Sequence, residues 1–380
     1  MIDVAIVGAG PAGAWAAYRL AREGARVVIF DASHPREKPC GGGVTGRALR
    51  LVADAIGAAP FPRTVIRAAR FADDAVVPLA ADAEDAELVV ASRAAFDAAL
   101  LDAAVSAGAR LVASRVTDVV VRRDSVAIDT ADGRSTADFV VGADGATSLV
   151  RRRLVAPFRR DQLSIATGFF AHGATSDEIA IEFTTQPAGY LWSFPRPDHL
   201  AIGICAPADA GIGAAALRAR AAQWIDAMPI ARGARLVPYA WPIPSLSAAD
   251  LDRLPLAGER WALVGDAAGL VDPITREGIF FALESGGWIA DVLSSGGYAL
   301  RAYVQQVNDE AVPELRRAAQ LQAGFFRPAF VRLLTQALRQ SAAVRAVMAD
   351  LVAGRQTYAH LKWRLVKTLE IGLAWRALTT

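Results

Sequence analysis

Apolar and polar positions alternate in a distinct order at the start of the chain. Residues 4–7 are a short apolar run, a glycine-rich turn follows, and a helical spacing of apolar positions continues to about Glu23. A second apolar run occupies residues 27–30 and ends at Asp31. This order predicts strand, turn, helix and strand, which together form a βαβ unit of a parallel sheet.

The same sequence of elements returns twice. An apolar run ends in a Gly/Asp turn and leads into a helical pattern at "DFVVGADGATSLVRR" (138–152) and at "RWALVGDAAGLVDPITREGI" (260–279). A further helix is predicted at 94–107, with Ser92 as its N-cap. From about Leu300 the pattern is helical to the end of the chain.

Residues 160–257 have a different pattern, in which short strand-like runs dominate. One helix is predicted here, at about 213–227. Strands that follow one another after short turns predict a mostly antiparallel sheet. The predicted strands lie near residues 165–171, 179–183, 190–194 and 200–205.

These patterns predict an α/β fold in which a Rossmann-type nucleotide-binding domain is interrupted by an inserted, mostly antiparallel sheet and followed by helices. The predicted boundaries are 1–70, 93–158 and 258–300 for the three parts of the nucleotide-binding domain, 71–92 for strands of the substrate domain, 159–257 for the main substrate (catalytic) domain, and 301–380 for the C-terminal helical region.

Composition limits the class of protein. The chain has 380 residues and is 53% hydrophobic, enough for a large core divided among two or three lobes. Two cysteines exclude a disulfide framework, and none of the four histidines has metal-ligand spacing, so no metal site is predicted. No signal-peptide pattern precedes the first strand, and no charge-free apolar run reaches the roughly 18 residues of a membrane span. We therefore expect a cytoplasmic protein.

Charge is unevenly distributed along the chain. The net charge is +2, but residues 311–380 hold eleven Lys or Arg against three carboxylates, which gives +8. Such a tail fits a membrane surface, an acidic partner or nucleic acid, and no nucleic-acid motif accompanies it. Trp363 and Trp375 lie among these basic residues, a combination that favours peripheral contact with a membrane surface. The alternative is a solvated helix packed on the catalytic lobe.

The first turn has the glycine spacing of a dinucleotide-binding site. Gly8 permits a tight turn, Gly10 lets the backbone approach a pyrophosphate, and Gly13 lets helix and strand pack closely. The positive end of the helix favours the diphosphate. Asp31 follows the second strand and can accept hydrogen bonds from a ribose. Together these features predict a bound dinucleotide.

Three strand ends are expected to converge on one extended ligand, because ligands bind at the carboxyl ends of strands in open α/β sheets. The second of these turns contains Asp144 and the third contains Asp266. Asp266 can bind a sugar-type hydroxyl, or it is a simple helix N-cap. The amides of Gly278 and Ile279 lie in the first turn of the next helix, where they and the dipole favour the anionic edge of a reduced flavin.

The motifs GAGPAG, GADGATS and GDAAGLVDP together resemble those of FAD-dependent oxidoreductases with the para-hydroxybenzoate hydroxylase fold. The resemblance implies that the predicted Rossmann-type domain binds FAD. Arg93 in "SRAAFDAAL" matches the arginine of that family that contacts the flavin; the alternative is a solvated residue at a helix end.

A narrower resemblance points to the geranylgeranyl reductase family. "KPCGGGVTGRAL" is similar to that family's flavin loop, "PAGYLWSFP" (187–195) matches its PxxYxWxFP pattern, and "LVAGRQTYAHLKWRLV" resembles its C-terminal helices. One departure is Asp31, where Glu is usual. The resemblance and the motifs predict the following FAD-binding residues: Gly8, Gly10, Ala12, Gly13, Asp31, Cys40, Gly41, Gly42, Gly43, Arg93, Val116, Asp144, Asp266, Gly278 and Ile279.

Cys40, Tyr190 and Trp192 are the candidate catalytic residues. Tyr190, Trp192 and Phe194 alternate in a predicted strand and share one face, which would form an apolar wall for a hydrocarbon chain or would serve ordinary core packing. Cys40 is either a small buried hydrophobe or a reactive thiol among glycine-exposed amides. The resemblance places it beside the flavin ring. Cys205 lies in an apolar run and is expected in the core.

The resemblance implies an FAD-dependent reductase of carbon–carbon double bonds in a geranylgeranyl or polyprenyl chain, with NAD(P)H or another electron donor. A flavin monooxygenase of an aromatic or lipid substrate is the alternative, because the FAD motifs fit it equally. A flavin halogenase is disfavoured, since the three lysines are Lys38, Lys362 and Lys367 and none lies between the flavin loop and the C-terminal helices. A lipid carrier that keeps FAD only as a structural group is disfavoured by the intact flavin motifs.

Overall fold

The structure is a computed structural model of the chain, and it describes residues 2–57, 61–71, 75–79, 88–296 and 300–367. The strands are β1 (Ile2–Val7), β2 (Val27–Phe30), β3 (Gly43–Thr45), β4 (Arg63–Val65), β5 (Ala68–Phe71), β6 (Ala75–Pro78), β7 (Leu88–Ala91), β8 (Arg110–Val112), β9 (Val116–Val121), β10 (Val126–Thr130), β11 (Gly133–Gly142), β12 (Leu163–His172), β13 (Glu178–Thr185), β14 (Ala188–Pro195), β15 (His199–Pro207), β16 (Arg235–Pro244), β17 (Ala257–Gly258) and β18 (Trp261–Leu263).

The helices account for most of the remaining described residues. They are α1 (Pro11–Arg22), α2 (Gly46–Leu51), α3 (Ala53–Ile56), α4 (Arg93–Ser106), α5 (Leu149–Leu154), α6 (Ala214–Ala227), α7 (Ala248–Leu251), α8 (Gly265–Ala268), α9 (Ile279–Ser294), α10 (Leu300–Gln306), α11 (Val312–Phe325), α12 (Pro328–Gln340), α13 (Ala342–Val352) and α14 (Tyr358–Lys367). Short 3-10 turns occupy Arg160–Gln162 and Pro229–Ala231, and a π-helical turn occupies Val307–Ala311.

The first sheet has the order β17-β18-β11-β1-β2-β8. β1 lies between β11 and β2 and is parallel to both, and β11 is parallel to β18. The apolar runs predict this arrangement, because strands covered on both faces read as continuous apolar segments. The first half of β11 leaves the parallel sheet and pairs antiparallel with β10, which continues to β9. The expected Rossmann-type α/β architecture is confirmed.

Helix α1 packs tightly between the parallel sheet and α9. Pro11 begins the helix, where a missing N–H is tolerated. Trp15 and Leu20 lie on its buried face. A methyl group added at Gly286 of α9 would lie 2.5 Å from the carbonyl oxygen of Ala12, so this glycine permits the close crossing of the two helices.

The second sheet is formed mainly by the inserted segment and has the order β16-β12-β15-β14-β13-β5-β6. Neighbouring strands are antiparallel except β13 and β5, which are parallel. The four predicted strands are therefore present, each extended by one or two residues at either end. A three-stranded sheet, β3-β7-β4, joins the two larger ones. The domain boundaries drawn from the sequence remain predictions.

β16 was not predicted, although it is one of the longest strands. Its sequence, "RLVPYAWPIP", contains three prolines, which normally argue against a strand because proline cannot donate to the sheet. Among the described strands it lies at the edge of the sheet and pairs with β12 alone. Pro238 and Pro242 are accommodated there because one side of an edge strand needs no partner.

The C-terminal helices cover one face of the second sheet, and their predicted helical character is confirmed. Phe325 of α11, Leu334 of α12 and Val347 of α13 belong to one apolar cluster with Phe71 and Ile179 of the sheet. In the part of the chain that the structure describes, no helix is both long and apolar enough to cross a membrane. Trp375 lies outside the described residues.

Candidate functional site

The glycines of the first turn have different physical roles. A methyl group at Gly8 (φ +106°) would lie 2.4 Å from the carbonyl oxygen of Ala143, and one at Gly13 would lie 2.0 Å from the carbonyl oxygen of Gly8. Both positions are fixed by protein packing. Gly10 lines a cleft, and the atom nearest to a methyl group placed there would be Nε2 of His34 at 3.7 Å, an ordinary contact distance. The cleft at this point lies at the start of α1, where a diphosphate would be bound.

Asp31 holds the turn that follows β2. Its carboxylate accepts hydrogen bonds from the N–H groups of Ala9 (2.9 Å), Ser33 (2.7 Å) and His34 (3.0 Å), and it contacts Nδ1 of His34 at 2.8 Å. Burial raises the pKa of Asp31, but the hydrogen bond and charge of His34 outweigh it and hold the pKa well below its usual range. A permanently ionised carboxylate suits a ribose hydroxyl donor.

Arg93 lies in the interior of the protein rather than at a solvated helix end. It is 3% exposed and begins α4, with Nε and Nη2 donating to Asp97 at 2.9 and 2.8 Å. Nη1 lies 3.7 Å from Sγ of Cys40. Burial lowers the pKa of Arg93, but the charge of Asp97 holds it above its ordinary value. Nε2 of His34 is 3.3 Å from Asp97, which links Arg93 to Asp31.

Asp97 and His34 were not predicted from the sequence. Asp97 lies four residues after Arg93, a spacing that places two side chains on one helix face, and this was the available signal. His34 offered no such signal. Burial lowers the pKa of His34, but the carboxylates of Asp31 and Asp97 outweigh burial and hold this pKa above its ordinary value.

Val116 and Asp144 both line the cleft at the end of the parallel sheet. The carboxylate of Asp144 accepts hydrogen bonds from the N–H groups of Leu149 (2.6 Å) and Val150 (3.2 Å) and from the hydroxyl of Ser148. Asp144 therefore caps α5, and burial raises its pKa. Its predicted contact with FAD would come from the cleft-facing turn that it stabilises.

The glycine triplet of the flavin loop packs against the second sheet. A methyl group at Gly41 would lie 2.6 Å from Cδ2 of Phe194, and one at Gly43 would lie 3.0 Å from Cε2 of the same ring. Gly42 has φ +85°, and a methyl group there would lie 2.3 Å from the carbonyl oxygen of Ala91. A larger residue at any of the three positions would therefore clash with the protein itself.

Arg196 fastens this loop and was not predicted. Its side chain is completely buried; Nη2 donates to the carbonyl oxygen of Cys40 at 2.7 Å, and Nη1 forms an ion pair with Glu37. Glu37 also accepts hydrogen bonds from the hydroxyl of Ser92 (2.6 Å) and the N–H of Arg93 (3.0 Å). The loop, the second sheet and the start of α4 therefore meet at one carboxylate.

The third motif completes the edge of the cleft. Asp266 lies within α8 rather than at its N-cap, and its carboxylate accepts from Nζ of Lys38 at 3.1 Å. This contact excludes the simple capping interpretation. Gly278 is the N-cap of α9 and Ile279 is its first residue, as predicted. The first-turn amides of a helix have no partner within the helix and are free to bind an anionic edge.

A largely apolar cavity adjoins this cleft. Tyr190, Trp192 and Phe194 all line it, so they share one face of β14 as predicted. Cys205, from the neighbouring β15, is fully buried and also lines it. The remaining apolar lining comes from both sheets and the C-terminal helices, and includes Phe71, Leu88, Ile181, Phe183, Phe325, Met348, Leu351 and Val352.

Tyr190 and Trp192 differ in how their polar atoms are used. The hydroxyl of Tyr190 donates to the carbonyl oxygen of Thr275 at 2.7 Å, and burial raises its pKa well above the usual value. Nε1 of Trp192 is buried, and the described part of the chain offers it no hydrogen-bond partner. The Tyr190 hydroxyl is thus hydrogen-bonded to the loop before α9, and the Tyr190 ring forms part of the cavity wall.

Two histidines lie side by side despite their sequence separation. His172 of β12 is in register with His199 of β15, and Asp198 contacts Nδ1 of His199 at 2.8 Å. The ligand atoms of these three residues lie within 4.8 Å of one another. Burial lowers the pKa of His199. The expectation of no metal site, which used sequence spacing, did not consider this cross-strand pair.

The residues of the cleft fit an FAD. Gly10 lines the cleft at a helix N-terminus, Asp31 is ionised beside it, and basic residues such as Arg152 also line the cleft. Lys38, Arg93 and Asp266 line both the cleft and the apolar cavity. A long ligand in the cleft would therefore extend one end to the mouth of the cavity.

Known proteins support this interpretation. Residues 1–202 match the family described as an FAD binding domain. The chain is 32% identical over 326 residues to a menaquinone reductase of Mycolicibacterium smegmatis, covering 78% of this chain and 77% of that protein. It is 29% identical over 359 residues to a digeranylgeranylglycerophospholipid reductase of Methanothrix thermoacetophila, covering 86% and 88%. A solved structure titled geranylgeranyl bacteriochlorophyll reductase-like, from Thermoplasma acidophilum, has a TM-score of 0.79 at 21% identity and covers 96% and 98%.

The fold and the site thus define an FAD-dependent oxidoreductase, and the expected FAD cofactor is confirmed. The chain belongs to the geranylgeranyl reductase family of these flavoproteins. The resemblance noted from the flavin loop and from PxxYxWxFP is therefore confirmed over most of the chain.

Proposed function

We propose that this protein reduces carbon–carbon double bonds in the isoprenoid chain of a lipid or quinone. The observation that carries the proposal is the apolar cavity, which shares Lys38, Arg93 and Asp266 with the FAD cleft. An isolated alkene is a poor hydride acceptor, so orientation and exclusion of water must supply much of the rate. A long apolar cavity beside the flavin meets both needs.

When bound and reduced, FAD supplies a hydride from N5 to one alkene carbon, and the other carbon takes a proton from a side chain or water. The protein's own residues bind and orient. The rings of Tyr190, Trp192 and Phe194 form the wall for the chain. Arg93 and the amides of Gly278 and Ile279 would hold the flavin edge. NAD(P)H or another donor would return two electrons to the flavin.

The named relatives support this substrate class. Two of them are named reductases of menaquinone and of digeranylgeranylglycerophospholipid. Another, from Arabidopsis thaliana, is named geranylgeranyl diphosphate reductase. All three names describe a reductase, and two of them also contain a geranylgeranyl group.

An anaerobic experiment tests the proposal. Purified yellow protein is reduced with dithionite and mixed with geranylgeranyl-bearing lipids. We expect the flavin to be reoxidised while the lipid gains two hydrogens per reduced bond. Mass spectrometry of the lipid measures this gain. If no polyprenyl compound reoxidises the reduced flavin, the reductase proposal is wrong. A hydroxylated product that needs oxygen would instead establish the monooxygenase.

Cys40 is proposed to act at the reaction centre, because its thiol lies 3.7 Å from Arg93 at the cavity lining. General acid catalysis typically contributes 100-fold or more. We therefore expect Cys40→Ala to lower kcat by about 100-fold with FAD content unchanged, and Cys40→Ser to recover part of the loss. Cys205→Ala, which removes a second thiol from the same cavity, is the matched control. Unchanged rates in both Cys40 variants would leave the thiol without a catalytic part.

We also propose that the C-terminal helices contact a membrane surface. Arg327 and Arg332 are exposed at the start of α12, and Trp363 of α14 is 69% exposed. Basic and aromatic side chains together suit a lipid headgroup layer. Co-sedimentation with anionic vesicles is the test: wild type should bind, and the triple variant Arg327→Gln, Arg332→Gln, Trp363→Ala should bind less. Equal binding of both would contradict the proposal.

A further inference from the structure

Arg276, in the loop between α8 and α9, has an unusual backbone conformation. Its φ is +62°, and among the described residues it is the one non-glycine with positive φ. A side chain is disfavoured in this left-handed region because its Cβ crowds the neighbouring carbonyl. Strain of this kind is concentrated at functional sites. An arginine here therefore costs conformational free energy that a glycine would avoid.

The side chain of Arg276 reaches the apolar cavity and is one of its lining residues. Nη1 donates to the hydroxyl of Ser245, and Nε is buried and has no hydrogen-bond partner among the described residues. The Ser245 hydroxyl also accepts from Nε2 of Gln322 at 3.5 Å. These contacts orient the guanidinium group. Arginine has five N–H groups, so some of its hydrogen-bond donors remain unused.

The other charged residues of the cavity lining are neutralised within the protein. Within the described ranges, Arg276 is the one lining cation that has no carboxylate in an ion pair with it. The neutralising pairs are Lys38 with Asp266 (3.1 Å), Arg93 with Asp97 (2.8 Å), and Glu277 with Arg47.

We propose that Arg276 determines specificity for the head group of the substrate, by donating a hydrogen bond to a carbonyl oxygen on an uncharged head. This inference rests on the proposed function and deepens it: the substrate class becomes a prenyl chain attached to a carbonyl-bearing ring, as in a prenylated quinone. The head lies beside the loop that leads into α9, and the chain lies against the aromatic wall of β14.

The charges at the cavity favour a carbonyl over a diphosphate. A diphosphate carries at least two negative charges, and burying it requires several unpaired cations. The described lining offers one, and the acids Asp266 and Glu277 lie in the same lining. A single guanidinium matches a neutral oxygen acceptor, which it can bind by a charge-assisted hydrogen bond.

The placement has a consequence for which bond is reduced. Arg276 is two residues before Gly278, where the flavin edge is expected. A head held at Arg276 keeps the first isoprene units near the flavin and directs the rest of the chain toward Phe325 and Leu351. Reduction is therefore expected at a bond close to the head.

The test compares three probes of equal chain length: a geranylgeranyl naphthoquinone, geranylgeranyl diphosphate, and a geranylgeranyl hydrocarbon without a head. For the wild type we expect the highest kcat/KM with the quinone. In Arg276→Gln the quinone's advantage over the hydrocarbon should fall by roughly 10- to 100-fold, the worth of one hydrogen bond to a charged group. Arg253→Gln, an exposed arginine outside the cavity, is the matched control and should rank the probes as the wild type does.

Arg276→Gly separates specificity from a structural role. Glycine accepts φ +62° without strain, so this variant should melt at or above the wild-type Tm and still lose the preference for the quinone. A lower Tm with the preference intact would overturn the inference. So would an unchanged preference in Arg276→Gln, or an altered flavin potential with an unchanged preference, which would make Arg276 a flavin contact. Wild-type protein that reduces none of the probes would overturn the proposed function and the inference with it.

Discussion

Single residues at this site are fixed by contacts between segments that are far apart in sequence. Gly41 and Gly43 lie under the ring of Phe194, and Gly42 lies against Ala91 and Arg196. The glycine triplet is thus part of a packed joint between the flavin loop and the second sheet. Ordering glycine has a backbone entropy cost, but glycine is needed at these positions because no larger residue fits.

Gly41→Ala should disturb this joint. The added methyl group would lie 2.6 Å from Cδ2 of Phe194, and overpacking of this kind typically costs about 1–3 kcal/mol. We expect a lower Tm and weaker FAD retention, measured by thermal melting and by flavin absorbance after gel filtration. The double variant Gly41→Ala, Phe194→Leu should recover part of both. Gly324→Ala, in open space on α11, is the control and should not destabilise; equal losses in both single variants would contradict the explanation.

His34 predicts a pH dependence. Its pKa is raised above the ordinary value in the folded protein, since the carboxylates of Asp31 and Asp97 outweigh burial. A raised pKa contributes stability that is complete below the unfolded value, about 6.5, and is lost as pH rises through the folded value. The Tm should therefore fall as pH rises above about 6.5. His34→Gln should remove this slope, whereas His360→Gln, at an exposed position, should keep it. A slope that persists in His34→Gln would assign it to another group.

The sequence motifs indicated glycines and acids of the site more readily than the residues that contact them. Gly8, Asp31 and Asp266 were predicted because their motifs are local. Arg196 was not predicted, because its partners Glu37 and Cys40 precede it by more than 150 residues. Its position directly after PxxYxWxFP was the one available signal.

At the scale of elements, the predictions were most accurate where periodicity was strong. α4 begins within one residue of its predicted position, since a capping serine marks its start. β16 was missed because the prolines outweigh its strand pattern, and only its edge position makes them tolerable. An edge position depends on the whole sheet and cannot be read from ten residues.

Helix α13 is expected to limit the length of the prenyl chain that the cavity accepts. Leu351 is buried and lines the cavity with Met348. Leu351→Trp should lower kcat/KM for a long prenyl chain by about tenfold or more and affect a short chain little, because a lost apolar fit is worth about 1–3 kcal/mol. Leu351→Ala should shift the ratio the other way. Steady-state kinetics with chains of different length measures it, and a ratio unchanged in both variants would exclude α13 from chain selection.

At the scale of the whole molecule, the FAD cleft and the apolar cavity are built from three sheets and the C-terminal helices. The first sheet supplies the cleft, the second supplies the aromatic wall, and the small β3-β7-β4 sheet joins them. The ligand-binding face is therefore also the region where the two large sheets meet.

Removing FAD should lower the stability of the whole chain. A ligand present at 100 times its Kd stabilises the folded state by about 2.7 kcal/mol. Because cleft and joint coincide, we expect the apoprotein to unfold at a lower temperature in a single transition that includes the second sheet. Calorimetry of apo and reconstituted protein measures this. A second transition at an unchanged temperature would show that the inserted sheet is independent of the cofactor.

The ion pair of Glu37 and the buried Arg196 also has a consequence for how the chain folds during synthesis. The flavin loop leaves the ribosome early, but its anchor is made 159 residues later and directly follows β14, a strand that must first find its partners in the second sheet. Contacts of such long sequence separation form late in folding. Stable capture of the cofactor is therefore a late event, timed by the second sheet rather than by the glycine-rich turn that begins the chain.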